Sequence, residues 1–189
     1  MFIDYLALAL LDLVISLSMI VLFFGKYIND NPKKLVPGFL VAGFIGMMLG
    51  FHITFTWPLP GSFNIGFGEP LVLFSVLTFG TGLALLFDWD LFSLGVYAFL
   101  AGIVAILVGF RLINLGMTKE PVMSGLGFIF TGATGLLYLP AWATRQSPAV
   151  RMIAALTALI ALVIWAITGY GSYWGHMESF SNWKPATMG

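Results

Sequence analysis

Six apolar stretches, roughly 5–25, 36–56, 71–87, 91–113, 121–143 and 149–171, occupy most of this chain and leave it few folds to choose from. A bilayer core about 30 Å thick is crossed by ~20 helical residues at 1.5 Å per residue, and each stretch is about that long. Hydrophobic residues make up 60% of the sequence and charged residues 8%. A soluble core of this size could not hide that much apolar surface, so lipid must be the solvent. The expected fold class is all-α, a polytopic membrane bundle of six transmembrane helices. Residues 1–189 form one six-span domain, with the lipid bilayer as its first partner.

The same composition excludes several functions. Six spans in 189 residues leave only short connectors. Zero net charge gives no electrostatic case for nucleic acid. The chain has no cysteine, which removes disulfides, thiolate metal sites and thiol catalysis. The first stretch lacks a basic leader region and carries Asp12, so it reads as a retained span rather than a cleaved signal. There is no His-Glu-x-x-His, no phosphate loop and no Gly-x-Ser-x-Gly. The expectation is a protein that is not an enzyme and holds no cofactor and no metal.

Loop charges orient the bundle. Lys26, Lys33 and Lys34 follow the first span, and Arg145 and Arg151 flank the loop after the fifth. The other side carries Arg111, Lys119 and Lys184. The positive-inside rule then places the protein in the cell membrane as a multi-pass chain with both termini outside.

Helix starts are legible in Glu69-Pro70 and Glu120-Pro121, because an acid and a first-turn proline both suit a helix N-terminus. Thr81-Gly82-Leu83 recurs as Thr134-Gly135-Leu136, a faint sign of repeated helical hairpins. Small residues recur at four-residue spacing: Gly38, Ala42, Gly46 and Gly50 in span two, Ala101, Ala105 and Gly109 in span four, and Gly127, Thr131 and Gly135 in span five. Such rows let helix backbones approach closely, within one subunit or between the copies of a homo-oligomer. The stretch 57–70 is rich in Pro, Gly and aromatics. It fits either an interfacial loop or a partly re-entrant element lining a cavity.

Polar groups within spans are the functional candidates. Asp12 and Ser16 share a helix face, and with Thr78, Thr81, Thr131 and Thr134 they could line a polar pathway. A buried structural carboxylate bonded to Ser, Thr or Arg111 is the other reading of Asp12. The two histidines, His52 and His176, fall on the predicted outer side with Glu69 and Glu178. A carboxylate neighbour favours the charged form of a histidine, so this set is a candidate proton sensor.

The run Phe63-Asn64-Ile65-Gly66-Phe67-Gly68-Glu69-Pro70, with the tail Tyr173-Trp174-Gly175-His176-Met177-Glu178-Ser179-Phe180, resembles an uncharacterised family of prokaryotic six-helix membrane proteins over essentially the whole chain. A looser resemblance is to the AmiS/UreI family of amide and urea channels. It rests on the short six-span layout, Asn31-Pro32-Lys33 after the first span, Asp88-Trp89 between the third and fourth, and Thr118-Lys119-Glu120 before the fifth. That family lines its pore with fifth-span aromatics, particularly tryptophan, whereas this chain reads Ser124-Gly125-Leu126-Gly127-Phe128-Ile129-Phe130 there. No filter residue is carried over. The resemblance implies a channel or transporter for a small uncharged or weakly polar solute, gated by external pH if the histidine set acts. The rival expectation is a non-catalytic accessory or scaffold subunit of a larger membrane complex.

The orientation is directly testable because the chain is cysteine-free. On intact cells an impermeant thiol reagent should label Ser62→Cys and spare Lys33→Cys; the reverse pattern would invert the topology.

Overall fold

The computed structural model describes residues 4–184. Helices α1 (Tyr5–Gly25), α2 (Val36–Thr56), α3 (Glu69–Leu86), α4 (Phe92–Leu115), α5 (Pro121–Ala143) and α6 (Pro148–Ser179) are all long and apolar enough to cross a membrane. Among the described residues there is no strand. Each helix packs on its neighbours in the chain and α6 closes back on α1, so the six make a ring. The tightest pairs are α4 with α5, α2 with α3, and α1 with α6.

Glycine sets the closeness of the first two pairs. On α4, Gly95, Gly102 and Gly109 recur every seven residues and meet Leu139, Gly132 and Gly125 on antiparallel α5. A Cβ on Gly102 would stand 2.5 Å from the Gly132 carbonyl oxygen, and one on Gly109 would stand 2.7 Å from that of Gly125. The backbones touch with no side chain between them, which is how helices gain contact when lipid removes the hydrophobic drive. A seven-residue seam is also the repeat along which two helices stay in register with a left-handed twist. The α2–α3 pair repeats the device, with Gly43 against the Phe79 backbone and Gly50 against Val72.

The four-residue rows read from the sequence fare differently. The span-two row faces other helices throughout: Gly38 meets Met19, Ala42 is buried, Gly46 meets Ser75 and Gly50 meets Val72. In α4 and α5 the seven-residue seam replaces the four-residue rows. Ala101, Ala105 and Thr131 line an internal cavity instead, Gly135 lines it while also packing on the Ala98 carbonyl and Gly102 of α4, and Gly127 receives the Trp165 ring.

The ends are closed by short-range chemistry. Asp4 caps α1 by accepting a bond from the Ala7 amide at 3.4 Å. Asp90 Oδ1 accepts from the Phe92 amide at 2.7 Å and starts α4. The end of α4 passes through Gly116 at φ 61°, and Met117 N–H returns to the Leu112 carbonyl at 3.3 Å, closing a Schellman turn. On the face with the first, third and fifth loops, Lys33 Nζ bonds Asp88 Oδ2 at 2.6 Å.

Two boundaries depart from the sequence reading. The third helix is preceded without a break by a wide π-helical turn, Asn64–Gly68, that absorbs part of the Pro/Gly-rich loop. The sixth helix continues to Ser179, since the polar run after residue 171 contains no proline to stop it. Its 32 residues span about 48 Å at helical rise, more than a ~30 Å core needs. The excess carries exposed Tyr170, Tyr173 and Trp174, residues suited to a membrane interface.

Gly132→Val should push α4 and α5 apart at a cost of about 1–3 kcal/mol, seen as a lower thermal unfolding midpoint in detergent. Gly171→Ala inside α6, whose added Cβ meets nothing within 4 Å, should leave the midpoint unchanged or raise it slightly, since alanine favours the helix by up to about 1 kcal/mol over glycine.

Candidate functional site

Between the helices of the ring lies a cavity of about 70 Å³ to which all six contribute. Its walls include Leu10, Ile53, Leu77, Ala105, Tyr138 and Trp165, one from each helix in turn. At ~30 Å³ per water in the liquid this is room for about two waters or one very small organic molecule. The lining is apolar except for a few groups on α5 and α6. Thr131 and Thr134 donate their hydroxyl protons to the Gly127 and Phe130 carbonyls at 2.8 and 2.9 Å. Trp165 Nε1 in turn donates to Thr131 Oγ1 at 3.0 Å. The walls therefore offer few free hydrogen bonds to a guest.

Toward loop two the cavity is flanked by aromatics. Phe67 from the π-helical turn meets Phe128 edge-on at 5.4 Å, and Phe128 meets Trp165 edge-on at 5.2 Å. At the other end Tyr138 OH and Thr81 Oγ1 lie 3.0 Å apart, and the Tyr138 ring packs edge-on against Phe24 at 5.4 Å. Beyond that bond lies a cleft of about 270 Å³ lined by Lys33, Asp88, Trp89, Asp90 and Trp142. Cavity and cleft follow one another along α3 and α5: Leu77 and Thr134 belong to the first, Ala84 and Trp142 to the second. The Thr81–Tyr138 bond stands between them.

The sequence-derived pathway residues fall in two places. Thr134 lines the cavity, and Thr81 closes its end through Tyr138. Asp12 and Ser16 are both buried, at 3% and 1% exposure, but lie outside the cavity lining. Asp12 faces α2 and α3, where a Cβ added to Gly46 would collide with Ser75 Oγ and stand 2.6 Å from Asp12 Oδ2. The proposed partner Arg111 is elsewhere. It is exposed and donates to Asn114 Oδ1 at 2.8 Å, because its chain reaches outward to the interface. An unpaired charge at such depth costs ~2.5–3.5 kcal/mol on insertion scales.

The face that carries the helix α1 N-terminus holds both histidines, though not with the acids expected. His176 Nδ1 lies 2.7 Å from Asp4 Oδ2, while Glu69 and Glu178 are exposed. The Asp4 carboxylate thus caps α1 with one oxygen and ties α6 with the other. His52 stacks on Tyr5 at 4.6 Å between ring centroids, with its Nε2 buried and unpartnered. Among the described residues no three of His, Asp and Glu come together as metal ligands would.

Sequence reasoning missed Asn64, Ser75, Tyr138 and Asp4. Asn64 is fully buried and organises loop two, accepting from the Leu59 amide at 2.9 Å and donating to the Leu59 and Gly61 carbonyls at 2.5 and 2.9 Å. An Asn among Pro, Gly and aromatics was a signal of such a turn. Ser75 and Tyr138 sit in apolar helices with nothing local to mark which way they face. Asn64→Leu should strip three loop groups, on Leu59 and Gly61, of their partners and lower stability by about 1 kcal/mol or more, read by thermal unfolding with wild type as reference.

Six apolar helices closed around an internal cavity define a polytopic integral membrane protein. The chain belongs to the family described as protein of unknown function (DUF981), whose model matches residues 1–179. Comparison with curated proteins and with solved structures finds no match.

Proposed function

We propose that this protein passes a small uncharged or weakly polar solute through the middle of its helix ring, in the cell membrane and with both termini outside. The observation that carries the reading is the cavity built from all six helices, with a cleft in line beyond the Thr81–Tyr138 bond. An accessory subunit needs outward docking faces and no interior space, so the cavity favours transport over the scaffold reading. Apolar walls with hydroxyl protons already committed would strip an ion of water without replacing it, and so exclude ions. They favour a compact molecule with one or two polar groups over one as polar as urea. Asp88-Trp89, one of the short runs on which the resemblance to the amide and urea channels rests, lines the cleft and would meet the solute at the cytoplasmic mouth. Tyr138 is then the gate, and the Phe67, Phe128 and Trp165 rings form the opposite barrier. The exposed faces of α4 and α6 would meet lipid or further copies of the chain in a homo-oligomer.

Acid sensitivity belongs to the same reading. Protonated His176 makes an ion pair with Asp4; neutral His176 makes at most a hydrogen bond. The tie between α1 and α6 therefore depends on external pH, with His52 on Tyr5 beside it.

Stopped-flow light scattering on proteoliposomes tests the conduit with acetamide, glycerol and urea as probes. Acetamide should enter faster than into protein-free vesicles, and Tyr138→Phe should raise its rate about five-fold, as expected for ~1 kcal/mol off a barrier when one hydrogen bond is lost. Entry of all three at the protein-free rate would sink the reading. An acetamide rate that shows the same pH profile in wild type and in the His52→Gln, His176→Gln double variant would remove the sensor alone.

A further inference from the structure

We propose that Asp12 and Ser75 form a reversible proton-binding site at the junction of α1, α2 and α3, separate from the solute cavity. Three observations on different helices converge there. Asp12 is 3% exposed and makes no hydrogen bond or ion pair with any described residue. Ser75 is 1% exposed, and its Oγ is buried without a partner. Gly46 lies between them on α2, and a side chain there would overlap both oxygens. The bare backbone at Gly46 is what lets a carboxyl of α1 and a hydroxyl of α3 approach each other across the intervening helix.

The chemistry of the pair selects the ligand. A metal cation would need several oxygens to replace its water, whereas the side-chain oxygens nearest Gly46 are Asp12 Oδ2 and Ser75 Oγ, and helical carbonyls are engaged along their own backbones. A proton needs one carboxylate and one adaptable neighbour. Loading moves a proton from water onto the Asp12 carboxylate, and the acid O–H then donates to Ser75 Oγ. Unloading returns the proton to water, and the Ser75 O–H turns to donate to the carboxylate. A serine is suited to this exchange because its hydroxyl both donates and accepts.

No other charge fixes Asp12 in one state. The titratable and charged groups on the surrounding elements are Asp4 and Tyr5 at the head of α1, His52 on α2, Glu69 on α3, and Arg151, Tyr170, Tyr173, His176 and Glu178 on α6. His52 stacks on Tyr5, His176 pairs with Asp4, and Arg151 lies at the opposite end of the bundle, 3.5 Å from the Phe24 carbonyl oxygen. None pairs with Asp12. Protons would reach the site from the face that carries His52, whose buried Nε2 is likewise unpartnered. Intramembrane carboxyls of this kind serve as proton relays in transporters, so an occupied site would couple solute movement to the proton gradient.

Infrared difference spectroscopy on the protein in phosphatidylcholine membranes tests the site without any solute. The expected result is a carbonyl-stretch band of a protonated carboxylic acid that vanishes reversibly at alkaline pH and shifts on exchange into D₂O. It should be lost in Asp12→Asn and displaced in frequency and midpoint in Ser75→Ala, a smaller change that keeps the fold if the first variant does not. Absence of the band at every pH, a band that neither titrates nor exchanges, or a band unmoved by Ser75→Ala would overturn the proposal. So would loss of the band on adding sodium at constant pH, which would assign the site to a metal cation. Each of these outcomes leaves the acetamide measurement free to succeed or fail separately.

Discussion

Backbone-to-backbone contact at glycine is the constraint on which the rest of this structure hangs. In lipid, two apolar helices gain little by touching each other rather than acyl chains, and only close fit and polar contacts hold them. The α4–α5 seam meets that demand by removing side chains wherever the helices cross, at Gly102 over Gly132 and Gly109 over Gly125. The α2–α3 seam does so at Gly43 and Gly50. These two tight hairpins, joined through α1 and α6, close the ring, and a ring of six helices has an inside.

What fills that inside follows from the seams. Because α4 spends its glycines on α5, its Ala101 and Ala105 turn inward and leave space that larger residues would have occupied. The cavity is then bounded by large rings at both ends, Phe67, Phe128 and Trp165 at one and Tyr138 with Phe24 at the other. The result is a small, largely apolar pocket with the Thr81–Tyr138 hydrogen bond on the side of a wider, charged cleft.

Polar groups in this bundle sort by whether their protons are committed. Thr78, Thr81, Thr131 and Thr134 all donate to the carbonyl four residues back, at 2.8–2.9 Å. They are satisfied within their own helices, as lipid demands of any buried donor. Asp12, Ser75 and His52 Nε2 lack such local partners and lie toward one side of the ring, among α1, α2 and α3. An unsatisfied group in a membrane interior is costly, and it is at these positions that function beyond packing is to be sought.

The amino-acid sequence by itself determined the class and the element list. Six apolar runs of bilayer length, punctuated by Pro70, Pro121 and the acids before them, yield six helices whose ends mostly fall within a residue or two of expectation. Local chemistry decides such things, because length, proline and capping act within a few residues. It also flagged Asp12 as buried and the span-two row as a packing face, since a carboxyl and a run of small residues stand out in any apolar helix. Which way the other residues face was settled only by tertiary structure. In a water-soluble helix the apolar stripe reveals the inner face, but here lipid and interior are both apolar, and the usual periodic contrast vanishes. The seven-residue seams, the pairing of His176 with Asp4 rather than Glu178, and the meeting of Thr81 with Tyr138 across 57 positions all depend on how helices dock. Docking is chosen by the fit of whole surfaces, and no single segment of the chain carries that information.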